Sequence, residues 1–148
     1  MLLALLTTAS AQPPEGAAVN GFGGFFLRSE NPKALATWYL NNLGISRTPR
    51  SYEQLPWMQE AGPTVFSPFP DIPNFLNAGD RPFVLNFRTR DLNALVAHLR
   101  DNGTEVELDA TVYPNGRFAL LQDPDGNPIQ LWEPAEPKEA AAEGGSTQ

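Results

Sequence analysis

Apolar positions along this chain switch between two spacings, and the switches mark out its elements. The apolar run Phe25-Phe26-Leu27 within residues 21–28 predicts a strand buried on both faces. Ser29-Glu30-Asn31 then puts capping side chains just before Pro32, whose missing N–H costs nothing in a first helical turn. Leu35, Trp38, Tyr39 and Leu43 recur at helical spacing, and Asn42-Leu43-Gly44 ends that helix. The same order returns further on. Residues 82–88 read as a strand, Asp91 as a cap, Leu92, Leu95, Val96 and Leu99 as an apolar helix face, and Asn102-Gly103 as its stop.

The offset between the two passages is 60 residues, which sets Arg28 on Arg88, Ala34-Leu35 on Ala94-Leu95 and Asn42 on Asn102. A duplicated unit explains this better than coincidence does. Behind the second helix come strand-like residues 105–109, 117–122 and 128–132, separated by the turn signals Pro114-Asn115-Gly116 and Asp123-Pro124-Asp125-Gly126-Asn127. The second unit is thus βαβββ. In the first, residues 45–50 and 63–67 are the candidate strands, while 51–62 and 69–80 are irregular and rich in proline and aromatic residues. Residues 12–20 read as a linker and 135–148 as a polar tail, neither with enough apolar surface to offset ordering. The expectation is one α+β domain over residues 21–134.

Composition narrows the partners. With 148 residues the chain has room for one domain with a core. No apolar run approaches the roughly 20 residues that span a bilayer, so no integral membrane segment is expected. A net charge of -7 opposes a polyphosphate backbone, which excludes nucleic acid as the expected partner. The lack of cysteine excludes disulfides, thiolate metal sites and cysteine nucleophiles. Residues 1–11 form a short apolar stretch ending in Ala9-Ser10-Ala11, similar to a secretory signal with a small-x-small cleavage site, though no Lys or Arg precedes it. Export to the periplasm or the cell exterior is the matching expectation, and a cytoplasmic location is the alternative.

Three segments resemble the vicinal-oxygen-chelate superfamily, which includes glyoxalases, bleomycin-resistance proteins and extradiol dioxygenases. They are Gly23-Gly24-Phe25-Phe26-Leu27-Arg28 running into Pro32 to Tyr39, the stretch Asp91-Leu92-Asn93-Ala94-Leu95, and Arg117-Phe118-Ala119 through Asp123-Pro124-Asp125-Gly126-Asn127-Pro128-Ile129-Gln130-Leu131-Trp132. The resemblance spans the whole folded part, and its closing hairpin is the most specific portion. It implies two βαβββ repeats curling their sheets into a cup, with a divalent metal held in the enzymes by four inward residues, mostly His and Glu. Here those positions fall on Gly24, Phe66, Val84 and Gln130. Only Gln130 offers a donor, and one neutral oxygen does not hold a divalent ion. A shift of one residue would offer Asn86 or Asn127 instead, and the single histidine, His98, lies on a helix. No metal and no other cofactor is expected.

The resemblance leaves a cup with some polarity. If the ligand positions face inward, strand alternation adds Phe26 and Arg28, Asn86 and Arg88, Arg117 with Ala119 and Leu121, and Trp132 beside Gln130. Phe26, Arg28, Asn86, Arg88, Arg117, Gln130 and Trp132 are therefore the candidate ligand-binding residues. Aromatic walls with convergent cations suit a small anionic or flat aromatic molecule. The plainer reading has Arg28 and Arg88 solvated, or paired with Glu30 and Asp91, and has Trp38 and Tyr39 as packing residues. Trp57 is either a lid or a plug. Glu53, Glu60 and Asp71 are loop carboxylates open to a general-base role, and no Ser-His-Asp or phosphate-loop pattern is present.

Three functions remain. The first is a metal-independent small-molecule-binding protein, with a homodimer as its expected assembly. The second is a lyase or isomerase working without a metal through a loop carboxylate and the arginines. The third is an interaction module whose cup is filled by Phe26, Phe66 and Trp132.

Overall fold

The computed structural model describes residues 12–137. The signal-like segment and residues 138–148 of the tail lie outside them. Helix α1 spans Pro32–Leu43: the Asn31 side chain accepts from the Ala34 N–H, Pro32 opens the first turn, and Gly44 closes it at φ 69°, a left-handed backbone that glycine adopts freely. Helix α2 spans Leu92–Asp101, where the Asp91 side chain accepts from the Ala94 N–H. Both starts are thus capped by the residues the sequence offers for it.

Four strands form one sheet: β1 (Leu85–Arg88), β2 (Val106–Leu108), β3 (Gly116–Gln122) and β4 (Pro128–Pro134), in spatial order β1-β4-β3-β2. β1 runs parallel to β4, and the other pairs are antiparallel. Strand, helix and three further strands follow one another as expected for the second unit. β1 begins at Leu85 rather than residue 82, because Leu85 lies opposite Ile129, the residue after Pro128, and a proline has no N–H with which to extend a ladder.

One face of the sheet is covered by helix. Leu92, Val96 and Leu99 of α2 pack with Ala119, Leu121, Ile129 and Leu131, and Leu35 and Tyr39 of α1 complete this core. Leu92 and Leu99 are fully buried, and each such leucine stabilises the fold by about 1.5–3 kcal/mol. The two helices meet where the Asn102 amide donates to Asn42 Oδ1 at 3.1 Å, a contact between the residues that the 60-residue offset equates. No helix among the described residues is long and apolar enough to cross a membrane.

The first unit departs from expectation. Residues 21–28, 45–50 and 63–67 form no strand, so the α+β class holds while the two-repeat cup is not formed by this chain alone. The segment at 21–28 is fixed by side chains instead of a ladder. Phe25 lies 5.6 Å from the Phe87 ring and Leu27 packs on the core, whereas Phe26 is 98% exposed. Among the described residues no backbone hydrogen bond joins this segment to β1. Proline weakens the other two candidates, since Pro49 and Pro63 remove ladder donors.

Asp123 ties the halves together. It is 4% exposed, and its Oδ1 accepts from the backbone N–H groups of Asp125 and Asn127, both at 2.9 Å. Its Oδ2 accepts from the Asn127 amide at 2.7 Å and from the Tyr39 hydroxyl at 2.8 Å. Burial, followed by the hydrogen bond to Asp123 and the charge of that carboxylate, raises the Tyr39 pKa well above the ordinary phenol value. Asp123→Ala should lower stability by at least about 3 kcal/mol, because several buried donors lose their acceptor. Urea denaturation measures that loss. A pKa raised by folding contributes stability that is present below the unfolded value and lost above it. Stability should therefore fall as pH climbs beyond about 10, and Tyr39→Phe should flatten that fall in melts run between neutral and alkaline pH.

Candidate functional site

The sheet face away from α2 carries the polar groups of interest. Pairing puts Asn86 beside Gln130 and Arg88 beside Trp132 on β1 and β4, and sets Leu120 and Phe118 opposite the same two β4 residues. The Asn86 amide, exposed on the edge strand β1, donates to Gln130 Oε1 at 2.7 Å. To one side the Phe118 and Trp132 rings stack at 6.3 Å and 8°, and the indole N–H donates to the Asn115 carbonyl at 2.8 Å. To the other side Asn77, in a left-handed backbone conformation at φ 58°, donates to Glu107 Oε2 at 3.1 Å and accepts from the Gln122 amide at 3.4 Å. A cavity of about 810 Å³ lies at the β2 edge of the sheet, where Asn77, Glu107 and Leu120 share its wall with Trp38, Asn102 and residues 103–106. Aromatic surface and an amide pair therefore lie on one face, with polar groups at its β2 edge.

Of the seven candidate residues, the fold brings four together: Asn86, Arg88, Gln130 and Trp132. Arg117 lies on the opposite face, where it donates to Asn93 Oδ1 at 2.8 Å and pairs with Glu133 at 3.8 Å. The β3–β4 register decides this, since it sets Leu120, not Ala119, across from Gln130 and so turns Arg117, Ala119 and Leu121 towards the helices. Phe26 and Arg28 stand exposed on the unpaired first segment. Phe66 is 87% exposed, so neither it nor Phe26 fills a cup in this chain. Arg88 reaches the Glu60 carbonyl at 2.8 Å, not Asp91, whose carboxylate is engaged in capping α2. Trp38 and Tyr39 are packing residues, as the plainer reading has it.

Sequence reasoning missed Phe118 and Leu120 on this face, and Arg90, which pairs with Glu60 at 2.6 Å. Counting alternation back from Gln130 through the Asp123–Asn127 turn would have found the first two. No sequence signal joins Arg90 to Glu60.

The metal of the resembling enzymes does not fit these residues. Gly24, Phe66 and Val84 have no donor atoms, and Gln130 Oε1 already accepts from Asn86. Asn127 is bound to Asp123, and His98 Nε2 lies 2.8 Å from the Asn41 carbonyl. Among the described residues no three His, Asp or Glu side chains gather as a ligand set.

A family model described as a glyoxalase-like domain matches residues 24–132. The chain belongs to this family, and with it to the vicinal-oxygen-chelate superfamily. It is 41% identical to a glyoxalase/bleomycin resistance protein from Streptomyces sp. CB03234 over 33% of this chain, spanning only 42% of that protein, with a TM-score of 0.30. TnmS3, an antibiotic binding protein from the same organism, is 24% identical over 72% of this chain and 88% of its own, with a TM-score of 0.42. A glyoxalase family protein from Bacillus anthracis is 16% identical over 73% and 88%, with a TM-score of 0.45. No curated protein matches the chain.

Gly116 shapes the aromatic end. Its φ is 130°, and a Cβ added there would collide with the Glu133 carbonyl and the Trp132 ring nitrogen. Gly116→Ala should destabilise the protein by more than about 2 kcal/mol and change the near-ultraviolet circular dichroism of the stacked pair, combining backbone strain with a displaced indole.

Proposed function

We propose that this chain is a metal-independent small-molecule-binding protein whose ligand lies on the open face of the sheet. The observation that carries the reading is the Asn86–Gln130 pair. Two amides joined at 2.7 Å, Asn86 on the edge strand and Gln130 next to Leu120, lie on the face that carries Phe118. Their mutual bond uses one donor and one acceptor, which leaves Asn86 Oδ1 and the Gln130 N–H groups to read a ligand. A flat aromatic ring laid on the half-buried Leu120 and Phe118 would exclude water from those groups, and a matching acceptor or donor on it would then be recognised strongly, because an amide left dry and unpaired costs about 1–3 kcal/mol. The donor-poor metal positions support the absence of a metal from this chemistry.

A second copy of the chain is the natural cover for the first half. Phe22, Phe26, Val65 and Phe66 are 62%, 98%, 69% and 87% exposed, and among the described residues nothing pairs with the outer side of the edge strand β1. Exposed apolar surface beside an open edge favours association. Sedimentation should give twice the protomer mass, and Phe26→Lys should shift the population towards monomer; a parent protein monomeric at every concentration would remove this part of the reading.

The ligand reading is tested by native mass spectrometry of the protein after exposure to a cell extract, with Gln130→Leu alongside. The parent should retain an added small-molecule mass, and the variant should retain it at least about tenfold more weakly while melting within a few degrees of the parent. Equal retention by both would move the site off this face.

A further inference from the structure

Two arginines at the end of β1 hold the same residue. Arg88 donates to the Glu60 carbonyl at 2.8 Å, and Arg90 donates to Glu60 Oε2 at 2.6 Å. Arg88 ends β1 and Arg90 lies in the bend that follows it, so it is their shared partner that brings the two guanidinium groups to one place. Gly62 gives the Arg88 guanidinium its place, because a Cβ there would collide with its Nη1 and Cζ atoms. A third tie, from the Gln59 amide to the Phe22 carbonyl at 3.4 Å, fastens the same loop to the first segment. Residues 59–62 are thus drawn down onto the cationic end of the face that carries Asn86, Gln130 and Trp132.

We infer that Arg88 and Arg90 form a carboxylate-binding clamp, and that Glu60 is its built-in competitor, seated where the carboxylate of a ligand would bind. This rests on the sheet-face reading above and adds the chemical class of the ligand, a flat molecule bearing a carboxylate, together with a device that limits its affinity. The Glu60 carboxylate supplies that functional group to Arg90, while its main-chain carbonyl holds Arg88. Its grip is weak by construction, since the Arg90 and Glu60 side chains are 85% and 69% exposed and an ion pair so open to water is readily exchanged. Arg88 adds direction. Asn86 precedes it by two residues on β1, so a ring lying over the Asn86–Gln130 pair can carry a carboxylate towards the guanidinium. Exchange needs only local movement, as Glu60 leaves and the 59–62 loop lifts while the sheet stays in place.

The test compares 2-naphthoate with 2-naphthamide, a matched pair differing in charge, by fluorescence titration of the full chain and of Glu60→Gln, Arg88→Met and Arg90→Met. Glu60→Gln should raise the naphthoate-to-naphthamide affinity ratio about threefold to fivefold, the size expected for removing one exposed ionic competitor. Each arginine variant should lower that ratio by at least as much, and added salt should shrink it in the parent more than in either arginine variant. If naphthamide binds but Glu60→Gln leaves the ratio unmoved, the clamp is wrong while the sheet-face site stands. If neither probe binds the parent or any variant, the sheet-face reading fails and the clamp with it.

Discussion

A buried carboxylate with four hydrogen bonds is the constraint on which this molecule depends. Asp123 closes the β3–β4 turn through its own neighbours and, through Tyr39, fastens that turn to a helix 84 residues earlier in the chain. The turn fixes the antiparallel register, the register fixes which side chains of β3 meet Gln130 and Trp132, and the helix contact sets α1 on the core. A carboxylate this buried is tolerable only because it accepts at both oxygens, and removing any donor would leave charge uncompensated in a low-dielectric setting. Polar satisfaction, more than apolar burial alone, therefore selects one arrangement of the hairpin.

Both helices and the strands of the second unit are legible in the sequence because each local signal agrees with the others. Asn31 and Asp91 cap the helices they precede, Gly44 ends α1 in a left-handed conformation, and the turn-rich segments separate β2, β3 and β4. The strands expected of the first unit are not. An apolar run such as Phe25-Phe26-Leu27 announces a strand, but a strand exists only where another edge supplies its hydrogen bonds, and nothing local says which edge that is. In this chain those residues lie beside β1 without pairing to it, and Phe26 between the two half-buried neighbours faces solvent.

Within the site, the part resting on strand parity alone was readable. Asn86 and Gln130 were placed on one face by alternation, and they touch. Arg117 went to the wrong side because its face depends on how many residues the hairpin turn consumes, which is fixed by the Asp123 network and not by periodicity. Arg88 was given Asp91 as a partner by proximity in sequence, but a helix cap had the stronger claim on that carboxylate, and the guanidinium went to a loop whose course no periodic pattern describes.

The resulting account is of a half-open sheet face, apolar at one end and cationic at the end of β1, with two amides on β1 and β4 available to a ligand. Side-chain amide resonances test this most directly. In a 1H–15N spectrum of the full chain titrated with 2-naphthamide, the account predicts that the Asn86 and Gln130 amide signals and the Trp132 indole signal shift together along one saturable curve, while those of Asn42 and Asn127, in the helix contact and the turn, stay still. Shifts confined to residues of the α2 face, or none at the central pair on saturation, would contradict it.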